Sequence, residues 1–138
     1  MGWKIAWSDR MISFYTSIWL FALLWFSSRR KIKPLNLWTF SLLLIPILVD
    51  GVTHAFSDLA GIGNGFRDTN MWLAGLTNYS LPTTFYAGDA LGSFNSTMRF
   101  VTGVLAGLGI SWLIFPYLFQ THFQSEQADS VNYAKVIN

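Results

Sequence analysis

The chain has no cysteine, so it cannot form a disulfide, a thiolate metal site or a thiol nucleophile. Charge is also scarce. Charged residues make up 12% of the 138 positions, against about 25% in soluble domains. There are only two histidines, His54 and His122, and neither sits in a zinc-protease spacing. No Ser-His-Asp type signature appears either. Gly61-Ile-Gly63-Asn-Gly65 is glycine-rich, but no strand pattern precedes it, so a nucleotide fingerprint fails on context. Asp58, Asp68 and Asp89 lack the spacing of an EF-hand loop. The net charge of +2 comes mainly from one short basic loop, and no nucleic-acid partner is expected.

What the chain does have is long apolar runs. Hydrophobic residues reach 52% and aromatics 17%, including seven Trp. Three stretches, roughly 11–28, 37–57 and 99–119, carry almost no charge. A bilayer core of about 30 Å takes about 20 apolar residues as a helix. The expected fold is therefore all-α and membrane-integral: one domain over 1–138, with three transmembrane helices. An outer segment at 58–98 and a polar, frayed tail at 120–138 complete it. The Trp content fits aromatic belts at the interfaces. Membrane lipids are the expected surroundings.

Orientation follows from Arg29, Arg30, Lys31 and Lys33, which lie together between the first two runs with no acid beside them. Loops rich in Lys and Arg stay on the cytoplasmic side. The N-terminus and the 58–98 segment are then outside a bacterial inner membrane, and the C-terminus is inside. The basic cluster follows the first apolar run instead of preceding it, so that run reads as a retained anchor, not a signal peptide.

Within this frame the polar residues fall at one level. Asp9 and Arg10 open the first span, with Ser8 or Asp9 as its cap. Asp50 and His54 share a face near the end of the second, four residues apart, with Gly51 between them leaving room for close approach. Asn95 and Arg99 open the third. An ionisable group inside a membrane needs a partner, and Arg99 is the partner predicted for Asp50. Structural locking of helix ends outweighs a ligand, proton or catalytic role for this pair. His54 reads first as a hydrogen-bonded interfacial histidine, and otherwise as a proton carrier or an axial ligand to a haem or pigment. Pro46 lies inside the second run, where it removes one backbone hydrogen bond. Gly103 and Gly107 form a small-xxx-small pattern that suits tight contact with a helix, either of another subunit or of the first or second span. In the outer segment, a short interfacial helix over roughly Asp68–Leu76 is expected, starting at Asp68 or Thr69.

Several separated motifs occur in one order. They are Asp50-Gly51, then Gly65-Phe-Arg-Asp-Thr-Asn70 and Tyr86-Ala-Gly-Asp-Ala-Leu-Gly92, then Gly92-Ser-Phe-Asn-Ser-Thr-Met-Arg99-Phe-Val-Thr-Gly103, then Gly107 and Phe115-Pro116-Tyr117. In these the chain resembles an uncharacterised bacterial membrane-protein family, domain of unknown function 2085, in its green non-sulfur bacterial type. Family members usually carry a preceding segment with a Cys-His motif and another hydrophobic stretch, and this sequence starts after it. Where many members have cysteines near the first span, this chain reads Ala6-Trp-Ser-Asp-Arg10, and a family glutamine near Asp-Gly is His54 here. Cysteine-dependent activity is therefore not expected. The resemblance implies fold and topology and brings no activity with it.

The expected function is a non-enzymatic accessory or scaffold subunit, packed against other subunits of a larger, energy-transducing membrane complex. The alternatives are a small membrane enzyme or transporter around Asp50, His54 and Arg99, or a pigment- or haem-binding subunit of an electron-transfer or light-harvesting complex. No cofactor is expected apart from that candidate ligand at His54.

Overall fold

The computed structural model describes residues 8–28, 32–61, 63–88 and 90–137, with side chains described to residue 127. The regular structure among the described residues is all helical, with no strand. In order they form α1 (Asp9–Ser27), α2 (Leu37–Asp58), α3 (Phe66–Thr69), α4 (Met71–Leu76), α5 (Thr83–Tyr86) and α6 (Phe94–Ile137). Three helices, α1, α2 and the Phe94–Gln127 part of α6, are long and apolar enough to cross a membrane. The chain is thus an all-α, multi-pass membrane protein.

Local chemistry sets the starts of α1 and α2. Ser8 caps α1, its hydroxyl accepting from the Met11 amide at 3.4 Å. Asn36 caps α2 through the Trp38 and Thr39 amides at 2.7 and 3.2 Å. Each side chain satisfies donors that a helix leaves open at its first turn. The chain stays helical through Pro46.

The long third helix, α6, is the centre. It packs along α1 on one side and α2 on the other, while α1 and α2 barely touch. Small residues make the α1 seam. Gly103 faces Ser13 and the Arg10 carbonyl, and Gly107 faces Ser17 and the Phe14 carbonyl. Ser13 and Ser17 turn their hydroxyls onto their own helix, at Arg10 O (3.0 Å) and Phe14 O (2.8 Å). Both seam hydroxyls are thus satisfied within their own helix, and small residues let the two backbones approach. Gly109 lies on the other side of α6, against Leu43 and Phe40 of α2. Of the helices open to the Gly103/Gly107 face, it is the chain's own first span that fills it.

Two expectations change. The polar tail after residue 119, expected to fray, is helical: α6 continues as one helix to Ile137. No Gly or Pro follows Pro116 to stop it. His122 and Glu126, one turn apart, approach to 3.6 Å on an exposed face. The single interfacial helix at Asp68–Leu76 is two helices broken at Asn70, whose φ of 45° is left-handed. Asn tolerates that region, and its side chain replaces the lost helix bonds by donating to Arg67 O and Tyr86 O, each at 2.9 Å. The first of these helices starts at Phe66, earlier than predicted, with Gly65 as its N-cap and the Asp68 carboxylate accepting from the Gly65 amide at 2.7 Å.

Candidate functional site

The start of α1, the last turns of α2, the start of α6 and the 59–93 segment meet at one end, here called the loop end. Its anchor is Asp50, a carboxylate only 3% exposed. Two guanidiniums share it. Arg10, from the first turn of α1, bonds Oδ2 through Nη2. Arg67, from α3, places Nη1 2.8 Å from Oδ1. The hydrogen bonds of Nη1 go to Thr53 Oγ1 at 2.6 Å and the Asp50 carbonyl at 3.2 Å, so the contact with Oδ1 is ionic and lacks hydrogen-bond geometry.

Arg67 is tied in at every level. Its backbone N–H donates to Ser57 Oγ at 3.0 Å. Its Nε donates to Asn95 Oδ1 at 3.3 Å, and its carbonyl accepts from Asn95 Nδ2 at 2.7 Å. Asn95, 1% exposed, also donates to Gly88 O at 3.1 Å. It is thus the joint between α6 and the loops. Gly65 makes this docking feasible, because a Cβ there would strike Ser57 and lie 2.5 Å from the Ser57 carbonyl. Nearby, Tyr86 receives Leu81 N–H at 3.1 Å and meets Thr77 Oγ1 at 2.5 Å, closing the loop on itself.

Two flanking pairs complete the end. Ser96 Oγ donates to Asp9 Oδ2 at 2.6 Å, tying α6 to α1. Arg99 Nη2 lies 3.3 Å from His54 Nδ1, tying α6 to α2. The predicted Asp50–Arg99 ion pair is therefore corrected: Asp50 takes Arg10 and Arg67, and Arg99 meets His54. Gly51 is no helix-packing contact either, since a Cβ there would meet only Arg10 Nη1 at an ordinary 3.8 Å. Asp58 is exposed and outside the network. Asp89 and the Arg29–Lys31 part of the basic cluster fall outside the described residues. Arg67, Asn70, Thr53 and Ser57 were not singled out from the sequence. The signal for them in the sequence is Gly65-Phe-Arg-Asp-Thr-Asn70, a motif that holds the one arginine of the 58–98 segment.

Beside the ion pairs lies a cleft of about 320 Å³. It is lined by Pro46, Val49, Asp50 and Thr53 of α2, by Phe66 and Arg67, by Trp72, and by Phe94 and Met98 of α6. Trp72 meets Phe94 edge-on at 5.8 Å. Among the described residues no group of three or more His, Asp or Glu is placed to hold a metal ion.

No curated protein and no solved structure matches this chain. A family described as a predicted membrane protein, DUF2085, matches residues 1–113. With three membrane-crossing helices and a match over most of its length, the chain belongs to the DUF2085 family.

Proposed function

We propose that the chain is a non-enzymatic scaffold or accessory subunit of a larger membrane assembly, with its polar loop end acting as a structural lock. One observation carries this reading: the buried carboxylate of Asp50 is held between guanidiniums from two other elements, Arg10 of α1 and Arg67 of α3. Asp50 is 3% exposed with a guanidinium against each oxygen, so a substrate reaches it only by breaking the lock. This counts against the enzyme or transporter reading. A haem or pigment ligand at His54 has less support too. The Nδ1 of His54 lies 3.3 Å from Arg99 Nη2, so the ring is already tied to a cation of α6.

The second support is α2. Of its 22 residues only Asp50 and Ser57 are buried. Leu42, Ile45, Leu48, Val49, Val52 and Phe56 are exposed along one broad face. That face is the one this reading gives to a neighbouring subunit. A photo-crosslinker at Leu48, in native membranes, should yield one protein adduct of fixed mass that co-migrates with a larger native complex. The same group at Leu23, an exposed α1 position, should yield only lipid adducts. Lipid adducts alone at both sites, with the chain migrating singly, would overturn the subunit reading.

The same reading keeps the loop end outside a bacterial inner membrane. Lys33 lies at the opposite end, where its carbonyl accepts from Trp112 Nε1 at 2.9 Å. With no native cysteine, single cysteines at Ser28 and Thr84 report the two sides. In intact cells an impermeant thiol reagent should label Thr84→Cys, and label Ser28→Cys only after permeabilisation. The reverse pattern would invert the orientation.

A further inference from the structure

We propose that the cleft beside Arg67 holds one anionic phospholipid, with its phosphate at the Arg67 guanidinium and an acyl chain against Phe66, Trp72, Phe94 and Met98.

Depth makes this feasible. Arg10 is the second residue of α1, and Ser96, bonded to Asp9, is the third of α6. Asp50 pairs with Arg10, so it lies beside the first turn of α1, and the proposal sets this level at the headgroup boundary. Pro46, four residues back along α2, is about 6 Å deeper. On that placement the cleft runs from the boundary down into the chain region. Its rim is open there, since Val49 is 55% and Phe66 49% exposed.

Apolar walls alone select nothing in a bilayer, because lipid tails are as apolar as the walls. Charge does the selecting. Within ion-pair distance two guanidiniums share one carboxylate, which leaves one net positive charge. Arg67 is 6% exposed, and excess charge at such a site is costly until neutralised. Arg67 uses Nε and Nη1 in its own hydrogen bonds, while Nη2 makes none among the described residues. A phosphodiester brings one negative charge and acceptor oxygens that suit a guanidinium. A phospholipid with no second, cationic head group cancels the excess; a zwitterionic one does not.

The test uses the full chain, delipidated in detergent, with native mass spectrometry of lipid adducts. Phosphatidylglycerol should form one retained adduct at least tenfold tighter than phosphatidylcholine. Met98→Trp, which fills the cleft without touching the ion pairs, should remove it while helicity and melting are kept. Should Met98→Trp fail to fold, Trp72→Ala, on a half-exposed wall, replaces it and should weaken the adduct severalfold. Equal retention of the two phospholipids, an adduct that survives in the folded cleft variant, or displacement of phosphatidylglycerol by equimolar oleate would each overturn the assignment. The subunit reading stands or falls separately, on the Leu48 crosslink.

Discussion

Asp50→Ala is expected to cost about 3–5 kcal/mol of stability, the usual penalty for removing one partner of a buried ion pair. The loss comes less from the missing contact than from what remains. Arg10 and Arg67 would face each other with no anion between them, and Arg67 would stay inside its cage of Asn95, Thr53 and Ser57. The two arginines should not be equivalent. The Arg67 side chain is 7% exposed and that of Arg10 27%, so water screens Arg10 more. Arg67→Met should therefore cost more than Arg10→Met, and should also loosen α3 and α4. Thermal melting in mild detergent, read by circular dichroism, checks the order. Equal costs for the two arginines would mean that burial does not set the energy of this end.

Gly107→Leu should be the second severe change, at about 3 kcal/mol or more. The first added carbon already meets Ser17 Oγ and lies 2.5 Å from the Phe14 carbonyl. Backbone cannot step aside as a flexible side chain does, so α1 must leave α6. Two glycines serve as controls. At Gly109 a Cβ would meet Leu43 side-chain atoms at 3.3 and 3.4 Å, which can shift, so Gly109→Ala should be mild. At Gly75 nothing lies within 4 Å, and Gly75→Ala in α4 should be neutral or gain up to about 1 kcal/mol. Limited proteolysis in detergent should show the first span of Gly107→Leu becoming accessible, with both controls protected. A Gly107→Leu chain as stable as the parent would show that the α1–α6 seam is not closely packed.

The spans were legible in the sequence because apolar length is a one-dimensional signal. Runs at 11–28 and 37–57 correspond to Asp9–Ser27 and Leu37–Asp58. The third was placed at its apolar part, and the polar residues after 119 hid a continuing helix. Absence of a breaker mattered there more than hydropathy. The small-residue spacing at Gly103 and Gly107 told correctly of a tight contact, but spacing alone cannot say which helix fills it. Charge pairing was the least legible part. Arg99 looked like the natural partner of Asp50 because both lie on spans at a common depth. Of its two actual partners, Arg10 and Arg67, the second sits in a segment whose path depends on Gly65 fitting against Ser57 and on the left-handed turn at Asn70. Neither is a periodic feature, so no pattern along the chain points to it.

The most direct test of the lock is a double-mutant cycle at Asp50 with two arginines, measured as unfolding free energy in bicelles. Asp50→Ala with Arg67→Met should show a coupling of about 2 kcal/mol or more, as neighbours sharing a buried network do. Asp50→Ala with Arg99→Met should be additive to within about 0.5 kcal/mol, because Arg99 bonds His54 while Asp50 pairs with Arg10 and Arg67. Coupling to Arg99 with additivity at Arg67 would contradict the account and return Asp50 to the partner first read from the sequence.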